Sequence, residues 1–125
     1  MRKKILLVED EAQLVDMLRS RLGASGYNVI AAYDGSEGLE KARKEKPDLI
    51  LLDIIMPKMN GYEVCKCLKE DKNTEDIPII ILTASDAKEL EDKCSALGVN
   101  NHVKKPFEAV NLLAEIKRLI EGVQK

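Results

Sequence analysis

Five residues of this chain can do chemistry together: Glu9, Asp10, Asp53, Thr83 and Lys105. Asp53 poses the problem most sharply. Leu49-Ile50-Leu51-Leu52 runs straight into its carboxylate, and Ile54-Ile55-Met56-Pro57 follows. An ionised carboxylate is costly to bury without a partner, so Asp53 calls for a crevice with cations or donors. Taken alone, it reads equally well as an acid that caps the next turn. With Glu9 and Asp10 beside it, three carboxylates would repel each other and at least one would take up a proton. A hard divalent cation removes the conflict, and oxygen ligands with room for water suit Mg²⁺. The Lys105 amine neutralises more charge, and the Thr83 hydroxyl can donate one hydrogen bond. Carboxylate, cation, hydroxyl and amine make up the set that phosphoryl transfer needs. The carboxylate attacks phosphorus, and charge on the phosphoryl oxygens is absorbed around it. A solvated acidic rim balanced by a surface lysine explains any one pair of these residues. It explains all five poorly.

The elements that must position them alternate. Lys4 to Val8 is a buried-type strand that ends at Glu9-Asp10-Glu11. A helix over about Glu11 to Leu22 follows, with Leu14, Val15, Leu18 and Leu22 on one face and Gly23 and Gly26 at its end. Tyr27 to Ala32 reads as the second strand. Asp34-Gly35-Ser36 then caps a helix over about Ser36 to Glu45, with Gly38 inside it for close packing on the sheet. The run into Asp53 is the third strand, and Lys58-Met59-Asn60-Gly61 is a turn. The third helix covers about Tyr62 to Glu70, with Tyr62, Cys65 and Leu68 inward. Ile79 to Leu82 is the fourth strand and ends at Thr83-Ala84-Ser85. Ala87, Leu90, Cys94 and Leu97 give the fourth helix its apolar face. Val99 to Val103 holds the least apolar strand, which suggests an edge. The last helix, about Glu108 to Glu121, carries Leu112, Leu113, Ile116, Leu119, Ile120 and Val123 at helical spacing. Such alternation implies right-handed crossovers and a parallel sheet covered by helices on both faces. Its ligand crevice lies beyond the carboxyl ends of the strands, where the five residues fall.

Composition narrows the class. The 125 residues are 45% hydrophobic and 34% charged, which fits one globular domain. No apolar run approaches the ~20 residues that span a bilayer. The apolar segment after Met1-Arg2-Lys3-Lys4 is too short for a signal peptide, so a cytoplasmic chain is expected, with no membrane partner. The net charge is −2 with signs mixed, and four aromatics leave little for stacking on bases, so no direct nucleic-acid contact is expected. Cys65, Cys67 and Cys94 are odd in number and lack metal spacing; Cys65 and Cys94 read as small core residues.

Four motifs carry a resemblance: Val8-Glu9-Asp10-Glu11, Leu52-Asp53-Ile54-Ile55-Met56-Pro57-Lys58-Met59-Asn60-Gly61, Leu82-Thr83-Ala84 and Lys105-Pro106-Phe107. In order and spacing the chain resembles a receiver domain of a two-component response regulator, over about Lys4 to Gly122. The resemblance implies a flavodoxin-like (βα)5 fold, a doubly wound five-stranded parallel sheet of order 2-1-3-4-5. It implies Asp53 as phosphoacceptor, taking a phosphoryl group from a sensor histidine kinase or phosphotransfer protein. Mg²⁺ would be held by Asp10 and Asp53 directly, by Glu9 through water, and by the backbone carbonyl of Ile55. Thr83, Ala84 and Lys105 match the phosphoryl-binding positions, and the Lys105-Pro106 bond would be cis.

His102 falls where the family usually carries Tyr or Phe, a ring that turns inward on phosphorylation. A switch role and a solvated edge-strand imidazole both stand for it. Ile55 and Ser85 occupy the variable places near the acceptor, and an apolar Ile55 would shield it from water. The output would be a change in the face of the fourth helix, fifth strand and fifth helix, read by a downstream target protein. The chain would act as a signalling switch more than an enzyme, as a monomer or a phosphorylation-dependent dimer. A single receiver domain over 1–125 and the receiver part of a larger regulator remain open. Three other readings fit less well. A receiver-like structural or binding module without phosphorylation is weakened because all five site positions hold competent residues. A flavin-binding flavodoxin would need a phosphate cradle where Glu9-Asp10-Glu11 repels phosphate. A phosphatase with an Asp nucleophile would want an acid where Ile55 stands.

Overall fold

The computed structural model of the chain describes residues 2–84 and 87–122. Ser85 and Val123 lie outside the described residues. Five strands alternate with five helices: β1 (Lys4–Val8), α1 (Ala12–Ala24), β2 (Asn28–Ala32), α2 (Gly35–Glu45), β3 (Leu49–Asp53), α3 (Gly61–Glu70), β4 (Ile79–Thr83), α4 (Lys88–Ala96), β5 (Asn101–Lys104) and α5 (Ala109–Glu121). The strands form one sheet in the order β2-β1-β3-β4-β5, and every neighbouring pair is parallel. The parallel sheet is the one the alternation implies, and its flavodoxin-like order is the one the resemblance implies. No described helix is long and apolar enough to cross a membrane.

The period-two alternation of the strands divides the core. Leu6, Val8, Ile50, Leu52 and Ile81 face one side, where Leu39 and Ala42 of α2, Val64, Cys65 and Leu68 of α3, and Cys94 of α4 cover them. Ile5, Leu7, Leu49, Leu51, Ile80 and Leu82 face the other, against Val15, Leu18 and Leu22 of α1 and Leu112 and Ile116 of α5. Both faces of β1, β3 and β4 are therefore dry, which is why these strands read as unbroken apolar runs. β5 is an edge strand with alternating exposure, as its composition suggests.

Local chemistry sets most boundaries. Asp34 accepts the Glu37 amide at 2.8 Å and starts α2. Asn60 and Glu63 form a reciprocal capping box at the start of α3. A Cβ on Gly38 would lie 2.9 Å from Val8 Cγ2, so α2 packs tightly on β1 there. Three expectations need correction. The first helix runs through Gly23 to Ala24, because its closing turn forms later: the Gly26 amide bonds Gly23 O at 3.0 Å. Tyr27 is not in β2, since its amide bonds Leu22 O at 3.1 Å and belongs to that turn. In α3 the inward residues are Val64, Cys65 and Leu68, whereas Tyr62 sits at the margin with Lys93 Nζ 5.5 Å from its ring centre.

Cys65 and Cys94 are buried as expected. The hydrogen bond to Cys94, with burial, pushes the Cys65 thiol up, whereas the same bond holds the Cys94 thiol down against its burial.

Tyr27 ties the start of β2 to the end of α5, donating to Glu121 Oε2 at 2.8 Å. Burial first, then this bond, pushes its hydroxyl from 10.0 up to about 12. The folded state thus favours the neutral phenol. Its contribution is complete below the ordinary tyrosine value and is lost as pH climbs through the folded one. Unfolding free energy should therefore fall across this alkaline window, and Tyr27→Phe should flatten that fall; urea denaturation at about pH 9 and about pH 11 measures both.

Candidate functional site

In a parallel sheet all carboxyl ends lie along one edge. β1 ends at Val8 and β3 at Asp53, side by side, so Glu9 and Asp10 arrive next to Asp53. β1 and β3 are also where the strand order reverses, and α1 and α3 depart to opposite faces. The crevice predicted by the topology opens there. One carboxylate oxygen from each of Glu9, Asp10 and Asp53 lies within 4.8 Å of the others. Glu9 and Asp53 are buried, whereas Asp10 is exposed.

Lys105 enters from the loop after β5. Its amide donates to Thr83 O at 2.7 Å, which fixes the loop against the end of β4. The Lys105-Pro106 peptide is cis, as the resemblance implies. Lys105 Nζ then reaches Glu9 Oε1 at 3.0 Å and Asp53 Oδ1 at 3.5 Å. Glu9 Oε2 accepts the Glu11 amide at 3.1 Å, so both Glu9 oxygens are engaged. Asp53 Oδ1 also accepts the Ile55 amide at 3.3 Å. Ile55 itself is exposed at the lip.

The electrostatics follow from burial against one ammonium. Desolvation pushes the Glu9 carboxyl from 4.5 up to about 7, with the Asp53 charge adding and the Lys105 bond opposing. Asp53 is also raised, first by burial, while Lys105 and the Ile55 amide hold it back. Burial pulls the Lys105 ammonium down, but its bonds to Glu9 and the charge of Asp53 outweigh that and raise it. Three carboxylates against one ammonium leave the cluster short of positive charge, and its donors are all hard oxygens. This donor set fits a small divalent cation with several retained waters.

Thr83 ends β4, fully buried, on the strand next to β3. Its hydroxyl does not bond Asp53. It donates to Glu91 Oε2 on α4 at 2.5 Å, with the Ala84 carbonyl at 3.1 Å. Sequence reasoning missed Glu91. It is one of several acids on a charged helix, and no spacing marks it. His102 sits on β5 opposite Ile81 and is exposed. The structure thus gathers Glu9, Asp10, Asp53 and Lys105, holds Thr83 and Ala84 at the adjacent strand end, and leaves His102 outside.

The family described as the response regulator receiver domain matches residues 5–117. The chain is 44% identical over 120 residues to the alkaline phosphatase synthesis transcriptional regulatory protein PhoP of Bacillus subtilis, covering 96% of this chain and 49% of that one. It therefore spans about half the length of such curated relatives. Among solved structures, chemotaxis protein CheY4 of Vibrio cholerae superposes with a TM-score of 0.88 at 33% identity, over 95% of this chain and 99% of that one. The receiver domain of the sensor histidine kinase PA1611 of Pseudomonas aeruginosa PAO1 has a TM-score of 0.88 at 30% identity, over 97% of this chain and 99% of its own. That structure has a magnesium ion coordinated in its active site cleft. This chain belongs to the response regulator receiver domain family, the signalling module of two-component systems.

Gly61 sets the floor of the site. Its amide donates to Ile54 O at 2.8 Å, folding the loop after β3 back beneath Asp53. A Cβ there would lie 2.6 Å from Ile54 Cα and 2.9 Å from the Asp53 carbonyl oxygen, both backbone atoms that cannot swing aside. Gly61→Ala should cost about 1–3 kcal/mol by overpacking, read as a lower urea midpoint.

Proposed function

We propose that this domain, residues 1–125, accepts a phosphoryl group on Asp53 from a phosphohistidine of a sensor histidine kinase or phosphotransfer protein. The observation that carries the reading is the Lys105 ammonium set between Glu9 and Asp53 where three carboxylates converge. An Asp53 oxygen attacks phosphorus as the P–N bond breaks, and the bonding pair leaves with the imidazole nitrogen. Lys105 is already in place to balance charge as it gathers on the phosphoryl oxygens. Asp10, Asp53 and the Ile55 carbonyl would hold Mg²⁺, which supplies Lewis-acid stabilisation of those oxygens. Both Glu9 oxygens are engaged by Lys105 and the Glu11 amide, which supports a role for Glu9 through water. Thr83 turns to donate its proton to a phosphoryl oxygen, and Ala84 contributes the backbone beside it. Water then hydrolyses the acyl phosphate slowly, with the apolar Ile55 partly shielding it.

The chain acts in the cytoplasm as a switch. Its phosphorylated state presents an altered face of α4, β5 and α5 to a downstream target protein or to a second copy, and His102 lies on that face. A second reading, that this domain is the receiver portion of a longer regulator, is favoured by relatives of about twice its length, one of them a transcriptional regulatory protein.

Incubation with Mg²⁺ and a small phosphodonor, followed by intact mass measurement, tests the acceptor. A gain of one phosphoryl group is expected, and Asp53→Asn should abolish it. No gain in the folded protein, or an undiminished gain in Asp53→Asn, would overturn the assignment.

A further inference from the structure

We propose that Glu91 is a latch: in the resting protein it holds the hydroxyl of Thr83, and phosphorylation of Asp53 must take that hydroxyl from it. The inference rests on Asp53 as phosphoacceptor. Thr83 has one proton to donate. In this structure the proton lies between Glu91 Oε2 at 2.5 Å and the Ala84 carbonyl at 3.1 Å. The ionised acceptor makes the stronger bond. Glu91 makes no ion pair among the described residues, so no side-chain cation competes for its carboxylate there. The same proton cannot serve Glu91 and a phosphoryl oxygen together. The two anions, one on α4 and one on β3, therefore compete for a single donor between them.

The competition links the site to the output face. α4 is weakly held. It buries only Cys94, and Ala87 at its start makes no side-chain cap. An element with so few buried apolar contacts moves at small cost. When Thr83 leaves, α4 loses its polar tie to the end of β4. The signal then reaches α4 through a broken hydrogen bond, with no need for His102 to move inward. Removing Glu91 should shift the resting equilibrium toward the engaged state of Thr83.

Beryllium fluoride with Mg²⁺ serves as the phosphoryl mimic, titrated by NMR against the parent, Glu91→Gln and Glu91→Ala. Glu91→Ala should bind it about tenfold more tightly, because a hydrogen bond to a charged acceptor no longer opposes engagement. Glu91→Gln keeps the size of the side chain but loses its charge, and should fall between. In a Thr83→Ala background the Glu91 effect should vanish, which a general loosening of α4 would not produce. Equal affinities, or an effect that survives in Thr83→Ala, would overturn the latch. The methyl couplings of Thr83 decide it independently in the resting protein. A rotamer redistribution in Glu91→Ala supports the latch, and an unchanged one refutes it. Should the parent take up no beryllium fluoride at Asp53, the acceptor reading fails and the latch with it, while these couplings still report separately whether Glu91 holds the Thr83 hydroxyl.

Discussion

Lys105 Nζ stands 3.0 Å from Glu9 Oε1 and 3.5 Å from Asp53 Oδ1, and these contacts let two acids remain buried side by side. Burial alone drives both carboxyls toward the neutral form. The ammonium is recruited from a loop that is 96 residues away from Glu9 in sequence. Its backbone is fixed by the bond from its own amide to Thr83 O. The sheet therefore has to be complete from β1 across to β5 at its edge before the charges at its rim are compatible.

The apolar strands make that possible. β1, β3 and β4 are dry on both faces, so each strand is clamped between two close-packed apolar layers. Rigid strands deliver Glu9, Asp53 and Thr83 to one edge with little freedom left in the backbone. The capping box at Asn60 and the close approach of Gly61 to Ile54 extend that rigidity into the loop under Asp53. Here the hydrophobic effect does more than stabilise: it fixes where the charges stand.

The fold was legible because its strongest signals are of this kind. Unbroken apolar runs such as Leu49 to Leu52 and Ile79 to Leu82 mark buried parallel strands, and the polar residues that follow them, Asp53 and Thr83, mark the carboxyl edge of the sheet. Glu9, Asp10, Asp53 and Lys105 could be grouped because topology alone puts strand ends together. Helix ends were less legible. Gly23 looks like a stop, yet the chain turns only at Ser25 and Gly26, where the carbonyls of Leu22 and Gly23 find their donors. Tyr62 looks apolar, yet its ring lies at the margin beneath Lys93. Glu91 was invisible for a deeper reason. Its partner is fixed by how α4 docks on β4, and docking of a weakly amphipathic helix leaves little trace in residue spacing.

Thr83 joins the two regimes of the molecule. It is buried at the end of a strand that has no room to move, yet its hydroxyl is held by the least firmly packed part of the α-helical layer. Asp53 is braced within the sheet and from below: β1 and β4 flank β3, and Gly61 closes the floor. The Thr83 hydroxyl, by contrast, ties the end of β4 to α4 through Glu91. Under the proposed latch, a stiff sheet with one soft neighbour would pass a change of charge at Asp53 on to α4, the helix with the fewest buried residues. For such a domain the informative contact is therefore the one that ties the soft element down. In this chain that contact ends on Glu91, eight residues beyond Thr83.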